Sequence, residues 1–288
     1  MGSEMCIRDR CMPRRDVLVS ATELAERLAT DPAGLALLDV RWRLGEAPGA
    51  GRERYAEEHL PGARFLDLEA VITRHTADPR DGRHPLPEAT DLAAGLGAIG
   101  VRADDVIVVY DEAGSFAAAR AWWVLTWAGR DVRVLDGGID AWILAGGPLD
   151  TGVESAPATR LDLATGALPT ATAEEAAAAE ILVDVRAPER YRGETEPLDP
   201  KAGHIPGAVN IPVSGLFGSD GRLPPEAVLR ERFGAVLDGR SVTAYCGSGV
   251  SAAHAVLALA TLGLRASLYP GSWSAWSNDP TRPVATGD

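Results

Sequence analysis

The sequence contains few cysteines. Only three of its 288 residues are cysteines, and two of these lie within the first eleven residues. Three cysteines in this arrangement do not form a disulfide framework, which indicates a reducing compartment and predicts a cytoplasmic location. No group of His and Cys residues has the spacing of metal ligands, so we expect neither a metal nor an organic cofactor.

Long hydrophobic runs and an excess of positive charge are also absent. No stretch approaches the roughly 20 apolar residues needed to cross a bilayer, so we expect no membrane partner. The formal net charge is −13, and the isoelectric point is near 4.9. Nucleic acid and anionic lipid repel a chain this acidic, which argues against both as partners. An anionic substrate would therefore need local positive potential.

The first 16 residues, MGSEMCIRDRCMPRRD, differ from the rest of the chain. They carry arginines and two cysteines, they lack the apolar core of a secretory signal, and they match no later segment. We therefore expect a disordered leader at residues 1–16. The remaining chain is long enough for two domains of about 100 to 150 residues each.

Most of the chain consists of two similar copies. LALLDVRW at residues 35–42 matches ILVDVRAP at 181–188, and HLPGARFLDL at 59–68 matches HIPGAVNIPV at 204–213. In both copies the same number of residues separates the Asp of DVR from the His that precedes PGA. The copies therefore share one register, which predicts a duplicated domain.

Each copy alternates short apolar runs with helical patterns. In the second copy ILVDV, SVTAY and ASLYP resemble buried strands, and residues 225–233 and 252–261 have helical patterns. Apolar runs of this length between helices are typical of a mostly parallel sheet flanked by helices. We therefore predict an α/β protein. Its predicted parts are a first domain at residues 17–150, a linker at 151–168 and a second domain at 169–288.

Cys246 lies at the end of a predicted strand in the run TAYCGSGVSAAHAVLALATLG. A Gly-rich turn follows the cysteine, and an apolar helix follows the turn. Backbone N–H groups of the turn and the positive end of the helix dipole would both stabilise a thiolate here. Parallel sheets bind ligands at the carboxyl ends of their strands. These features predict a nucleophilic cysteine rather than a buried structural thiol.

Four motifs of the second copy point to one family. DVR, HIPGA, CGSGVS and GSWSAW occur in this order, and the chain after its leader resembles the tandem-domain sulfurtransferases, the rhodanese and 3-mercaptopyruvate sulfurtransferase family. The loop is most similar to that of the mercaptopyruvate branch, CG(S/T)GVT. Asp111 stands in the first copy where the second has Cys246, as in the family's non-catalytic first domain. The resemblance implies two rhodanese-like domains, of which only the second is catalytic.

The resemblance also implies an activity. Cys246 would attack the thiol sulfur of 3-mercaptopyruvate, a small anionic donor, and release an enolate that becomes pyruvate. The cysteine would then hold the sulfur as a persulfide for a thiol or cyanide acceptor. A thioredoxin-like protein is one candidate for the acceptor thiol.

The reaction must move protons, and the resemblance assigns this task to three residues. In the mercaptopyruvate branch a loop serine such as Ser248 acts with a His and an acid from the first domain. His84 matches the family's His before LP, and Glu69 replaces the family's Asp in a DxD pattern. Asp67 is the less favoured acid. We expect Ser248, His84 and Glu69 to meet in the folded protein.

A carboxylate substrate needs a cationic anchor, and arginine suits it because it can form two parallel hydrogen bonds. The resemblance places Arg190 at the position of a substrate arginine. The family's second arginine lies where this chain has Asp199, Pro200 and Lys201, so Lys201 is the candidate for a second contact. The loop residues expected to bind the donor are Gly247, Gly249, Val250 and Ser251.

Several polar residues recur in both copies and are predicted to hold the fold rather than to catalyse. They are Asp39, Arg41, Asp184 and Arg186 of the DVR motifs and His59 and His204 of the PGA turns. We expect His254, on the helix after the loop, to be a packing or surface residue. Trp273 would either shape the pocket mouth or fill the core.

Three alternative functions compete with this prediction. A phosphatase would need an arginine after its loop to hold phosphate, and this chain has Ala252 there. A thiosulfate:cyanide sulfurtransferase is the nearest alternative, but relatives that use this dianion usually carry cationic side chains in the loop. In the third alternative, a non-enzymatic relay module, Cys246 only passes persulfide between partner proteins.

Overall fold

A computed structural model describes residues 13–112 and 116–288, which form two sheets of parallel strands. The strands of the first sheet are β1 (Leu18–Val19), β2 (Leu35–Asp39), β3 (Arg64–Phe65), β4 (Val106–Tyr110) and β5 (Val132–Leu135). Those of the second are β6 (Ile181–Asp184), β7 (Val209–Asn210), β8 (Val242–Tyr245) and β9 (Ala266–Leu268). The strand orders are β1-β5-β4-β2-β3 and β7-β6-β8-β9. Every neighbouring pair of these strands is parallel, which confirms the predicted α/β class.

Helices flank both sheets. In the first half they are α1 (Arg14–Val17), α2 (Ala21–Thr30), α3 (Ala50–Glu57), α4 (Leu68–Val71), α5 (Ala89–Ala98), α6 (Ala117–Trp127) and α7 (Gly138–Leu144). In the second half they are α8 (Ala173–Ala177), α9 (Pro188–Tyr191), α10 (Glu226–Phe233), α11 (Val250–Thr261) and α12 (Ser272–Asn278). Short 3-10 helices lie at Pro79–Asp81, Val213–Leu216 and Gly234–Leu237. In the described part of the chain, none of the helices has both the length and the apolar composition that a membrane span requires.

Helices α6 and α11 connect the two halves of the molecule. They pack against each other within one hydrophobic core that includes residues of both sheets. Nearly every residue of α11 is buried, as expected for a helix that is apolar on all sides. The two helices follow the turns after β4 and β8, so their packing brings these strand ends together. Asp111 and Cys246 consequently line one cavity.

Two predicted boundaries differ from the structure. Helix α11 begins at Val250, so the end of the predicted six-residue turn is already helical, and Gly249 precedes it in the left-handed conformation. The predicted leader also ends too late. Arg14–Val17 is helical, and the Arg14 guanidinium donates hydrogen bonds to the backbone carbonyls of Leu223 and Pro224. Residues 1–12 of the predicted leader lie outside the described residues.

The recurring polar residues make equivalent contacts in the two copies. Arg41 binds Asp39 with an Nη2–Oδ2 distance of 2.8 Å, and Arg186 binds Asp184 at 2.6 Å. The side chains of these ion pairs are buried. The two histidines, His59 and His204, bond through Nδ1 to the carbonyls of Tyr55 and Tyr191 at 2.9 and 2.8 Å. These contacts fit the predicted role in holding the fold.

Candidate active site

Cys246 follows β8 directly, and its side chain is buried. The backbone N–H of Gly249 donates a hydrogen bond to the Cys246 sulfur at 3.1 Å. Because Gly249 is the N-cap of α11, this N–H belongs to the positive end of the helix dipole. The hydrogen bond and the dipole are both oriented to interact favourably with negative charge on the sulfur during nucleophilic attack.

The turn after Cys246 requires a glycine at position 249. Gly249 has a φ of 80°, in the left-handed region that residues with a Cβ rarely adopt. A Cβ at this position would lie 2.7 Å from the carbonyl oxygen of Pro270. Only glycine fits both the backbone conformation and the limited space beside the Pro270 carbonyl. This conformation is the one that directs the Gly249 N–H at the Cys246 sulfur.

Ser248, His84 and Glu69 form a continuous chain of hydrogen bonds. The His84 Nδ1 lies 2.8 Å from the Ser248 Oγ, and its Nε2 lies 3.1 Å from the Glu69 Oε1. An ionised carboxylate only accepts hydrogen bonds, so His84 Nε2 donates to Glu69 and Nδ1 can accept from the serine hydroxyl. This arrangement can move a proton between the loop and the carboxylate. The structure thus brings together the three residues that the motifs predicted to meet.

Glu69 is the acid of this hydrogen-bonded chain, whereas Asp67 caps a helix. The Trp42 indole N–H also donates to Glu69 Oε1, at 3.1 Å. The hydrogen bond from His84 lowers the pKa of Glu69 despite the opposing effect of burial, so this carboxylate stays ionised at neutral pH. The Asp67 carboxylate instead accepts the backbone N–H groups of Glu69 and Ala70, which caps the start of α4.

Two arginines border the catalytic loop. A Cβ built on Gly247 would lie 3.0 Å from Arg83 Nη2 and 3.5 Å from Arg190 Nη1. Arg190 therefore lies where the family resemblance predicted a substrate anchor. Arg83 is a further cation that the motifs did not reveal, although it directly precedes His84 in the sequence. Both guanidinium groups line the cavity that contains Cys246.

Lys201 does not join these arginines. Its ammonium donates a hydrogen bond to the backbone carbonyl of Asp279 at 2.9 Å, and the residue is not part of the cavity wall. Trp273 lies nearby, where its indole N–H donates to the Lys201 carbonyl. Because Trp273 is completely buried and lies under the Arg186 guanidinium, it fills the core rather than shaping the pocket mouth.

The cavity around Cys246 has a volume of about 410 Å³ and draws its walls from both halves of the chain. The second half contributes four of the predicted loop residues, Gly247, Ser248, Val250 and Ser251. Gly249, by contrast, packs against Pro270 beneath the loop. The first half contributes apolar and charged side chains that include Trp42, Leu44 and Arg83. A small anion in this cavity could reach sulfur, hydroxyl and guanidinium groups at once.

Asp111 lies in the same cavity at the position that corresponds to Cys246. Its carboxyl group is buried, and burial raises the pKa of Asp111 well above its ordinary value. The backbone N–H of Glu112 donates to Asp111 Oδ1 at 2.7 Å. A carboxyl group cannot form the persulfide that a thiol forms, so the first copy has the strand-and-turn frame without the nucleophile.

Arg120 of α6 bridges the two halves beneath the loop. Its guanidinium donates hydrogen bonds to the carbonyl of His84 at 2.8 Å and to the carbonyl of Gly249 at 3.3 Å. Burial lowers the pKa of Arg120 to about 10, and Cys246 and Glu69 act in the opposite direction. The side chain therefore remains a cation and fixes the histidine relative to the loop. A lone arginine in a helix rich in Ala and Trp is the sequence signal that could have revealed it.

His254 takes no part in this arrangement. The residue is buried on α11, stacks on Phe217, and donates from Nε2 to the carbonyl of Leu216 at 3.1 Å. Burial lowers the pKa of His254 to about 4, so the ring is neutral at physiological pH. His254 is a packing residue, as predicted. Across residues 13–112 and 116–288, no cluster of three or more His, Cys, Asp or Glu side chains could hold a metal ion.

Comparisons with known proteins agree with this geometry. A sequence model of the family described as "Rhodanese-like domain" matches residues 20–145 and 169–279. The "Putative thiosulfate sulfurtransferase SseB" of Mycobacterium tuberculosis H37Rv is 47% identical over 284 residues, covering 95% of this chain and 98% of the relative. The "Probable 3-mercaptopyruvate sulfurtransferase" of Pseudomonas aeruginosa is 44% identical over 285 residues, with coverages of 94% and 98%.

A solved structure shares the whole architecture. The 3-mercaptopyruvate sulfurtransferase SseA from Escherichia coli superimposes with a TM-score of 0.79 at 32% identity. The match covers 89% of this chain and 98% of the other. This protein therefore shares its overall fold with that structure over most of the length of both chains.

Proposed function

This chain belongs to the rhodanese family, and we propose that it is a sulfurtransferase that takes sulfur from 3-mercaptopyruvate and holds it as a persulfide on Cys246. The observation that carries the proposal is the arrangement around the sulfur. The Cys246 thiol accepts an N–H from Gly249, and the hydrogen-bonded chain of Ser248, His84 and Glu69 opens into the same cavity.

In the first step the Cys246 thiolate attacks the thiol sulfur of the donor. A sulfur–sulfur bond forms, the carbon–sulfur bond of the donor breaks, and its electron pair passes to the enolate of pyruvate. The donor's thiol proton can pass to Ser248 while the Ser248 hydroxyl proton moves to His84 Nδ1. The reverse transfer through Ser248 then delivers a proton to the enolate, which becomes pyruvate, and the sulfur stays on Cys246 as a persulfide anion. General acid catalysis of this kind contributes typically about 10²- to 10⁴-fold to a rate.

Arg83 and Arg190 are the proposed carboxylate anchors. Both border Gly247, the residue after the nucleophile, so an anion bound by them lies beside the sulfur. Two guanidinium groups can bind the carboxylate with several charge-assisted hydrogen bonds. Gly247, Val250 and Ser251 would complete the wall of the donor site. The placement of Lys201 outside the cavity removes the reason for proposing it as an anchor.

In the second step an acceptor attacks the outer sulfur of the persulfide and regenerates the Cys246 thiolate. Cyanide or a thiol can act in this way, and a thiol of a thioredoxin-like protein is our candidate for a protein acceptor. The scarcity of cysteine supports a reducing compartment such as the cytoplasm. We also propose a non-catalytic domain at residues 17–150, a linker at 151–168 and a catalytic domain at 169–288.

Thiosulfate is the second candidate donor. The Mycobacterium tuberculosis relative carries thiosulfate in its name, and the two arginines beside Gly247 supply positive charge that the loop sequence lacks. Against thiosulfate, Gly247 and Ser248 offer only amides and a hydroxyl within the loop. In addition, the relay of Ser248, His84 and Glu69 suits a reaction that must protonate an enolate.

Steady-state kinetics with the two donors test the proposal. We expect kcat/KM for 3-mercaptopyruvate to exceed that for thiosulfate by about tenfold or more, which corresponds to about 1.4 kcal/mol in the transition state. A clear preference for thiosulfate would contradict the proposed donor. Failure of both small donors to support turnover would favour the relay module.

A further inference from the structure

Ser272, at the start of α12, has a backbone conformation that residues with a Cβ rarely adopt. Its φ is 51°, and among the described residues no other residue except glycine has a positive φ. This conformation costs free energy that a glycine would avoid, because it crowds the Cβ against the following carbonyl oxygen. Such strain persists only where the surrounding structure fixes it, and it clusters at functional sites. The contacts of Ser272, which is completely buried, show what this conformation provides.

The Ser272 side chain contacts the backbone of the nucleophile. The Cys246 N–H donates a hydrogen bond to Ser272 Oγ at 3.1 Å, and the Ser272 hydroxyl donates to the Tyr269 carbonyl at 2.9 Å. A hydroxyl can accept one hydrogen bond while it donates another, so both contacts form together. The backbone N–H of Trp273 donates to the Cys246 carbonyl at 2.9 Å. Two consecutive residues of α12 therefore hold both backbone polar groups of Cys246.

The first half has a glycine at the equivalent position. Gly138 begins α7 with a φ of 60°, and the N–H of the next residue, Ile139, donates to the Asp111 carbonyl at 2.9 Å. A Cβ at Gly138 would lie 2.1 Å from that carbonyl oxygen, so a serine does not fit there. Both halves thus contain the same left-handed turn, but only the half with the nucleophile has a hydroxyl in it.

We propose that Ser272 is a positioning residue for Cys246, whose hydroxyl fixes the cysteine backbone so that the sulfur meets the Gly249 N–H and faces the donor. This inference rests on the proposed function, because it takes Cys246 to be the nucleophile. Without the hydroxyl, the Cys246 N–H would be buried without a partner, which favours movement of this peptide. A displaced nucleophile reacts more slowly, because the rate depends steeply on the alignment of the reacting atoms.

Two substitutions of Ser272 separate positioning from general stability. Ser272→Ala removes the hydroxyl and keeps a Cβ in the left-handed region, whereas Ser272→Gly removes the hydroxyl and relieves the strain. We therefore expect Ser272→Gly to unfold at a higher urea concentration than Ser272→Ala. In both variants the rate constant for loading Cys246 with sulfur from saturating 3-mercaptopyruvate should fall about tenfold. The half-saturating donor concentration should stay within about twofold, since Arg83 and Arg190 remain in place.

Ser277→Ala is the matched control for the loss of a buried hydroxyl. Ser277 lies on the same helix, it is buried, and its hydroxyl has no hydrogen-bond partner among the described residues. Its loading rate should equal that of the wild type. Loading rates of both Ser272 variants within about twofold of the wild type would overturn the inference. A rate that recovers in Ser272→Gly together with its stability would also overturn it.

Thiosulfate separates this inference from the proposed donor. Because Ser272 acts on the nucleophile, both variants should lose the same factor with thiosulfate as with 3-mercaptopyruvate. If the wild type loads Cys246 from thiosulfate alone, the proposed donor is wrong, and the inference stands only if thiosulfate loading still falls about tenfold in both variants. A loss confined to one of two donors that the wild type accepts would overturn the inference. A wild type that loads sulfur from neither donor would contradict both proposals.

Discussion

Cys246 and Asp111 occupy equivalent positions at the ends of the two central strands, and they divide the chemistry between the halves. The Cys246 sulfur accepts a hydrogen bond from the Gly249 N–H, which points at the atom that attacks the donor. The Asp111 carboxyl group is buried at the same cavity, where burial raises its pKa. The residue type at this one position therefore distinguishes the half that contains the nucleophile from the half that does not.

The hydroxyl of Ser248 is the member of the relay closest in sequence to the nucleophile, and its removal tests the relay. We expect Ser248→Ala to lower kcat with 3-mercaptopyruvate by about 10²- to 10⁴-fold, because the enolate loses its proton donor. Alkylation of Cys246 by iodoacetamide should persist, since the Gly249 N–H does not depend on this hydroxyl. Ser241→Ala, which removes an exposed hydroxyl bound to Glu180, is the control with unchanged kcat. Near-normal turnover of Ser248→Ala would refute the relay.

The sequence predicted the residues of the relay but not all of the charges around it. Ser248, His84 and Glu69 could be chosen because each lies at a recognisable motif position. Arg83 could not, since charged residues are common and sequence alone does not show which of them face inward, and only the isolation of Arg120 among the Ala and Trp residues of α6 could have indicated that it is buried. For the same reason the sequence did not show that the Lys201 ammonium, predicted as a second contact for the donor, binds the Asp279 carbonyl.

At the level of elements, the strand, turn and helix around Cys246 form one unit. β8 ends beside the cysteine, Gly249 caps α11, and the helix begins within the predicted turn. The short apolar runs were sufficient to predict the central strands and the helices around 225–233 and 252–261. They did not locate the first residue of α11, because that boundary depends on the left-handed conformation of Gly249.

Gly249→Ala tests the need for this turn. An alanine in the left-handed region costs about 1–2 kcal/mol, and here its Cβ would also meet the Pro270 carbonyl. We expect the free energy of unfolding to fall by more than this amount and kcat to fall about tenfold or more, since a displaced Gly249 N–H no longer reaches sulfur.

Gly146→Ala is the matched control for this substitution. Gly146 has the same φ of 80° but open space around it. The Gly146→Ala variant should lose only the stability that an alanine costs in the left-handed region, and its kcat should stay unchanged. Urea unfolding and steady-state assays of both variants provide the comparison. Equal losses of stability and full activity in the two variants would show that the turn does not depend on Gly249.

In the molecule as a whole, neither half contains a complete site. The nucleophile and Arg190 come from the second half, whereas His84, Glu69 and Arg83 come from the first. Arg120 joins the parts by bonding to carbonyls of both halves. The repeat in the sequence predicted two similar domains. It could not predict which faces meet, because the packing of α6 on α11 depends on side chains that are apolar in both copies.

Rapid-quench measurement of a single turnover tests most directly whether Cys246 receives the sulfur with help from the first half. With excess 3-mercaptopyruvate and no acceptor, we predict a burst of one pyruvate per chain and one added sulfur atom on the peptide containing Cys246. His84→Asn should slow this burst by about 10²-fold or more, and Cys246→Ser should abolish it. A full burst in Cys246→Ser, or an added sulfur on any other residue, would contradict the proposed mechanism.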